Sequence, residues 1–592
     1  MGMQVLGLSI FAWITIAIVI FKTVMTFRGK MSGDILALII ISVLMLTGTL
    51  TQEDALDSFG SPTVVTIGAL LVLGASMVHA GVVHLISRQL GTPRTLRRAV
   101  TNLMVTVAGM SAFFNSNMIT ALFINIVKVW SKKVKFPASK LLIPLSYAAT
   151  LGGLCTIIGS STNLLAVSFY ADETGQPMSF FAPLIPGMAC VVTGIVTVVL
   201  FQKYLPLRKL PEESFESCDH YTVELMVPTD CRSIGKTVEE AKLQNVTGGH
   251  LIEIVRFDRE IISPVPNDEY IFGGDHLVFT GRIDDILQLR ITHGLVNATH
   301  HVFSVKELNK NRTLQMATVT WESSLVEHRM ADIDFEKDHD VVLIAIAREG
   351  EHIKDIPRET IIRAGDTLLF EGSRMDTESL FNDLLFFDTV ALPQQGRKTY
   401  MSMAIMSCMV LLSACRIMPL LYSALLAAGA MLITNCCSAE QMRRAINWKI
   451  VMVFAGSVCI GKAIETTGLA TVLGHGIADT FGFSPLLTLF MFCLIATIVT
   501  EFISNATAAA VLIPIAIETA EILGANTLTF VVALMISISA AFATPIGNET
   551  NTMVFGPGGY KFSDFMKLGL LMNIVILITN IIVTCLVYPL NH

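Results

Sequence analysis

Four polar residues, Glu501, Ser504, Asn505 and Thr507, interrupt the otherwise apolar stretch TEFISNATAAAVLIP at 500–514. An uncompensated polar group in hydrocarbon costs several kcal/mol, so residues of this kind inside a membrane run mark a place where something offsets that cost. Hydroxyl and amide groups offer neutral oxygens that hold an alkali cation, and amide N–H groups hold an oxyanion. Glu501 adds a carboxylate able to carry an ion or a proton.

The same chemistry occurs twice. FFNSN at 113–117 aligns with EFISN at 501–505, sharing Phe114/Phe502, Ser116/Ser504 and Asn117/Asn505. At the same offset TIIGSSTN at 156–163 aligns with TPIGNETN at 544–551. Identities held in one register, each at a polar interruption of an apolar run, indicate an internal duplication. An apolar arm, a polar Ser-Asn tip and a second apolar arm read as a re-entrant hairpin, whose non-helical backbone must be buried or face water. Gly159 and Gly547 break the helices that follow, leaving N-terminal N–H groups for an anion and unwound carbonyls for Na⁺. Ser116, Asn117, Ser504 and Asn505 are therefore candidate substrate ligands, in tips and breaks that contain no Lys or Arg. Glu549 would repel an anion by about 4 kcal/mol at roughly 4 Å and an effective dielectric of about 20, unless a cation or proton neutralises it. Glu501 and Glu549 are accordingly candidate ion or proton sites.

The elements that must position these groups are membrane helices. With 592 residues, 53% hydrophobic and 15% charged, the chain is too apolar for a soluble domain and reads as a polytopic α-helical membrane protein. Apolar runs near 5–22, 33–51, 61–83, 140–170, 182–202, 400–415, 418–435, 449–467, 527–556 and 565–588 predict about ten spans, with hairpins at 101–130 and 485–522. The first run lacks a charged leader and a small-residue cleavage site, so it is expected to be retained. The net charge of −7 and basic residues confined to short loops exclude a nucleic-acid surface. The eleven cysteines have no zinc or redox spacing and read as packing residues.

Lys22, Arg28 and Lys30, then Arg88 to Arg98, then Lys128 to Lys135 alternate with acidic loops at 53–57 and 172–173. By the positive-inside rule both termini lie outside and residues 203–398 are cytoplasmic. The membrane halves, 1–202 and 399–592, then have inverted topology, the arrangement of secondary transporters with a midplane site. Lys462 and Glu465, i and i+3, read as an interfacial ion pair.

Between the halves, strand-like stretches such as HLIEIVRF alternate polar and apolar residues. FGGDHLVFTG at 272–281 recurs as RAGDTLLFEG at 363–372, predicting two α/β modules, 203–300 and 301–398. The modules resemble TrkA-C domains, which implies an unidentified small regulatory ligand.

The motifs NSN, IGSSTN, TEFISNATAAAVLIP and ATPIGNETN resemble those of the divalent anion:sodium symporter family, in particular members with TrkA-C inserts. The resemblance implies a homodimer in which a transport domain moves as an elevator against a scaffold, carrying sulfate, dicarboxylates or tricarboxylates with Na⁺. The family's Ser-Asn-Thr motif falls on Ser116-Asn117-Met118 and Ser504-Asn505-Ala506, so both threonines are absent. Thr507 lies one place along, where a rotation of about 100° would aim its hydroxyl elsewhere; it remains a candidate substrate ligand. The resemblance places Na⁺ at Asn117, Gly159, Thr162 and Asn163, and at Asn505, Gly547, Thr550 and Asn551. The expected function is Na⁺-coupled transport of a small divalent anion, sulfate ahead of C4 dicarboxylates, in a lipid-embedded cell-membrane protein with no cofactor besides the coupling ion. The alternatives are a channel gated by the TrkA-C modules, which would need a filter resembling TVGYG, and a proton-coupled exchanger using Glu501 and Glu549. No nucleophile-base pair, metal cluster or phosphate loop suggests an enzyme.

Overall fold

The computed structural model describes residues 4–5, 8–28, 33–210, 396–446, 448–480 and 484–590, together with the strands and turns of the insert named below. His300 and His301, in the linker between the modules, lie outside the described residues.

Ten described α-helices precede the insert and ten follow it. The first series is α1 (Ile10–Arg28), α2 (Gly33–Leu46), α3 (Gln52–Phe59), α4 (Pro62–His79), α5 (Val82–Ser87), α6 (Leu96–Ser111), α7 (Ser116–Val134), α8 (Ser139–Gly153), α9 (Ser161–Thr174) and α10 (Leu184–Leu200). The second is α11 (Arg397–Ala414), α12 (Leu420–Ile433), α13 (Ala439–Ala445), α14 (Trp448–Thr466), α15 (Leu469–Thr480), α16 (Pro485–Val499), α17 (Asn505–Ile522), α18 (Thr527–Ser539), α19 (Glu549–Phe555) and α20 (Phe562–Val587). The Ser-Asn tips lie at the turns from α6 into α7 and from α16 into α17, where Ser116 and Asn117 open α7, and Ser504 caps α17 ahead of Asn505. The glycine breaks fall between α8 and α9 and between α18 and α19.

Among the described residues three segments are long and apolar enough to cross a membrane alone: Gln52–His79, Asn505–Ile522 and Phe562–Val587. The pair α14 and α15, bent by 69°, would make a fourth, and six shorter apolar helices accompany them. The α20 side chains show what surrounds the fold. Met566, Leu570, Ile574, Ile578, Ile582 and Leu586, four residues apart, are exposed, while Asn573, Asn580 and Thr584 are buried on the other face. Apolar outside and polar inside is the pattern of a helix bathed in lipid. Asn580 is satisfied by donating to Ala533 O at 2.7 Å and Ser537 Oγ at 3.0 Å.

Close backbone approach explains several glycines. A Cβ on Gly187 of α10 would lie 2.7 Å from Leu154 O at the first break, and Gly569 of α20 sits just as tightly against Phe542 and Ala543 at the second. Each series thus packs its last helix onto its own break.

The insert holds two antiparallel sheets of the same plan. The first orders its strands Asn245–Val246, Gly249–Val255, His276–Gly281, Tyr221–Met226 and Val296–Asn297; the second orders Glu351–His352, Val341–Arg348, Thr367–Ser373, Arg312–Val319 and Leu384–Phe386. In each, the Gly-Asp dipeptide makes one turn: Asp275 Oδ2 accepts from Phe272 N at 2.9 Å, and Asp366 Oδ2 from Arg363 N at 2.8 Å. Gly274 and Gly365 take φ of +94° and +87°, a left-handed conformation that glycine adopts without strain.

Candidate functional site

Tip 1 lies on the carbonyls of break 1. Ser116 Oγ is 3.0 Å from Ala149 O, 3.1 Å from Gly159 O and 3.0 Å from Ser111 Oγ, which itself donates to Ala149 O at 2.6 Å. Space there is minimal, since a Cβ on Gly153 would meet Ser116 Oγ at 2.5 Å and one on Gly159 would meet Gly153 O and Ser111 O at 2.8 Å. Asn115 caps α7 by accepting from Asn117 N at 2.9 Å. A small cavity beside the tip is lined by Asn115, Met118, Ser161 and Gly74. Met118, where the resemblance expected Thr, rests its thioether on Gly74 of α4.

Tip 2 repeats the arrangement with a different side chain. The amide of Asn505, with its nitrogen turned toward them, donates to Ile538 O at 3.2 Å and Gly547 O at 3.1 Å. Ser504 Oγ and Thr507 Oγ1 are 2.8 Å apart. The Thr507 hydroxyl therefore turns back onto the tip rather than away from it, because the cap residue and the third residue of a helix face each other across its first turn.

The Thr-Asn pairs of the breaks have distinct surroundings. Asn163 donates to Gly153 O at 3.0 Å and Thr156 O at 2.8 Å, and Asn551 donates to Ala541 O at 3.1 Å and Thr544 O at 2.9 Å. The carbonyl oxygens differ. Asn551 Oδ1 accepts from Ser146 Oγ at 2.6 Å, whereas Asn163 Oδ1 is buried with no hydrogen-bond partner among the described residues. Thr162 is buried on the first turn of α9. Thr550 Oγ1 sits in a network crossing between the halves: 2.9 Å from Ser146 Oγ, 3.0 Å from Thr150 Oγ1 and 3.1 Å from Asn548 Oδ1.

The two carboxylates play different parts. Glu501, 5% exposed, accepts backbone N–H groups from Phe542 at 3.0 Å, Ala543 at 2.9 Å and Thr544 at 2.8 Å, and the Asn573 amide at 2.6 Å. Its oxygens act as acceptors that satisfy the unwound backbone of break 2. Glu549 instead begins α19 and accepts the Asn117 amide, joining tip 1 of the first half to break 2 of the second.

Ser146, Thr150, Tyr147 and Asn573 were not singled out from the sequence, although each supports a break. Ser146 and Thr150, i and i+4 on apolar α8, were the available signal. Tyr147 OH donates to Phe542 O at 2.9 Å. Lys462 pairs with Asp54 at 2.9 Å, so its acid comes from α3 and not from Glu465. Lys22 lies inside α1, buried against Ser457 of α14, and not in the following loop.

The chain is 28% identical to an uncharacterized transporter of Synechocystis, over 97% of each chain. It is 29% identical to a putative sulfur deprivation response regulator of Chlamydomonas reinhardtii, over 95% of this chain and 99% of that one. Sodium/sulfate cotransporter 2 of the same alga is 20% identical over 90% of this chain and 85% of its own. The citrate transporter family, CitMHS, matches residues 13–535 and 458–590. The chain thus belongs to the citrate transporter family and is a multi-pass membrane transporter, consistent with the divalent anion:sodium symporter motifs of its tips and breaks.

Proposed function

We propose that the protein is a Na⁺-coupled secondary transporter of a small divalent anion, with sulfate favoured over C4 dicarboxylates. The observation that carries this reading is that each Ser-Asn tip rests on the carbonyls of the break in its own half, Ser116 on Gly159 and Asn505 on Gly547. At break 1 Asn163 Oδ1 is buried without a donor among the described residues, which suits a small cation. Na⁺ at Asn117, Gly159, Thr162 and Asn163, and at Asn505, Gly547, Thr550 and Asn551, would fix the tips. The anion would then bind between Ser116, Asn117, Ser504, Asn505 and Thr507. Sodium/sulfate cotransporters among the relatives support both the cation and the anion.

In this reading the halves are inverted repeats with re-entrant hairpins, and both termini lie outside. The boundaries are 1–202, 203–300, 301–398 and 399–592, with the two middle modules cytoplasmic, TrkA-C-like and regulatory. The protein works as a homodimer whose tip-bearing domain shifts across the bilayer. The four donors on Glu501 argue against its use as a proton carrier, and leave Glu549 as the carboxylate that faces a tip.

Uptake into proteoliposomes across sulfate, thiosulfate, succinate, citrate and phosphate, driven by Na⁺, K⁺ or a proton gradient, tests the proposal. Sulfate uptake should require Na⁺, and Asn117→Ala and Asn505→Ala should each abolish it in a folded protein. Uptake that ignores Na⁺ and follows the proton gradient would replace this reading with exchange through Glu549.

A further inference from the structure

The second cytoplasmic module touches the membrane part of the chain at one corner. Helix α19, which carries Thr550 and Asn551, ends at Phe555 and turns through Gly556, Gly558, Gly559, Tyr560 and Lys561 into α20. The Phe555 ring lies so close over Gly365 of the module's Gly-Asp turn that a Cβ there would strike it. A Cβ on Gly556 would come within 2.7 Å of the Thr318 hydroxyl, on the module's Arg312–Val319 strand. Lys561 Nζ is 2.7 Å from Glu349 Oε2. Next to this corner, Arg208 at the entry to the insert pairs with buried Asp564 of α20 through both Nε at 2.8 Å and Nη2 at 2.9 Å.

The first module has the same turn and uses it differently. There the glycine that matches Gly365 is Gly274; one place before it Gly273 faces Ile234 and Thr229 of its own module, and Tyr270 and Phe272 beside it are exposed. The two copies of the turn thus differ in what flanks them: Phe555 of the membrane part covers Gly365, whereas exposed Tyr270 and Phe272 flank Gly274.

We propose that the second module is a clamp on the α19–α20 corner, and that turnover requires its release. This rests on the transport reading above. Asn551 and Phe555 are i and i+4 and share one face of α19, so the ring held by Gly365 and the amide that braces break 2 move as one rigid piece. A change in the module that displaces the Gly-Asp turn frees α19. While the turn is seated, the Thr550 and Asn551 network to α8 stays fixed.

The test joins Glu349→Cys and Lys561→Cys in the full chain with a short, reducible bis-thiosulfonate, with the linked peptides identified by mass spectrometry. Na⁺-driven sulfate uptake should fall at least tenfold on linking and return on reduction, with each single cysteine unaffected. Linking without loss of uptake, or failure to link when both thiols label singly, overturns the clamp. A second readout is independent of transport: Phe555→Ala should speed amide exchange at 363–368 several-fold and leave 272–275 unchanged. Unchanged exchange at 363–368 also overturns the proposal. A wild-type protein inert toward every anion in the panel would defeat the transport reading and leave the exchange test standing.

Discussion

Gly547→Ala should uncouple the transporter from Na⁺ without unfolding it. The added methyl would lie 2.7 Å from Thr500 O, 2.8 Å from Glu501 Cα and 3.1 Å from Ala541 Cβ, all short of the 3.4 Å at which ordinary contact begins. Two of the three are backbone atoms of tip 2, held by the Glu501 cap, so the tip and the break must separate by more than the ~0.5 Å that a binding constellation tolerates. Overpacking of this kind costs about 1–3 kcal/mol, and since about 1.4 kcal/mol is tenfold in affinity, Na⁺ binding should weaken roughly 5- to 150-fold. The assay is the Na⁺ concentration that gives half-maximal uptake, paired with the Na⁺-induced rise in thermal midpoint of the purified protein. Gly429→Ala in α12 is the control, because a Cβ there has nothing within 4 Å and the change should stabilise its helix by about 0.5–1 kcal/mol. Wild-type Na⁺ dependence in Gly547→Ala would show that the contact between tip and break does not form the cation site.

Two further outcomes follow from single contacts. Glu549→Gln keeps a side chain that can meet Asn117 and removes a charge worth about 4 kcal/mol of repulsion at roughly 4 Å and a dielectric of about 20, so the KM for the divalent anion should fall; an unchanged KM in initial-rate uptake would place the anion elsewhere. Arg208→Met leaves Asp564, 1% exposed, without its partner and should cost about 3–5 kcal/mol, seen as a lower denaturation midpoint, while Arg208→Met with Asp564→Leu should recover most of the loss.

Tips and breaks were legible in the sequence because hydrocarbon makes polar residues conspicuous: NSN and ISN stand out against their apolar arms, and Gly-Asn repeats at one offset tie the halves together. The insert was legible for a related reason, since Asp275 and Asp366 close identical turns and must keep their spacing from the strands that follow. What escaped notice was partnership. Whether Glu501 faces an ion or caps backbone depends on three N–H groups more than forty residues away, and no local pattern records them. Lys462 had a nearby acid in sequence, yet α3 brings Asp54 closer. Rotation by one residue along the helix does not carry the Thr507 hydroxyl away from the tip, because its contact with the cap, Ser504, sets its direction.

The duplication is also unequal where it matters for coupling. Ser146 supplies a proton to Asn551 Oδ1, but the residue at the corresponding offset in α18 is Leu534, which has none to give. Among the described residues Asn163 Oδ1 is thus buried without a donor, which ordinarily costs about 1–3 kcal/mol and persists in a native fold when another ligand takes the place of a donor. Asn163→Ala and Asn551→Ala each delete two similar bonds to backbone carbonyls, so their direct structural costs should be alike, with Asn551→Ala the more damaging because it also strands Ser146. If Asn163 Oδ1 serves the cation, the order reverses in the Na⁺-dependent part of stability, and Asn163→Ala should lose more of the Na⁺-induced rise in thermal midpoint than Asn551→Ala does. Equal Na⁺ responses in the two variants would mean that the lone oxygen at break 1 is a packing defect, and that the cation sites draw on the tips alone.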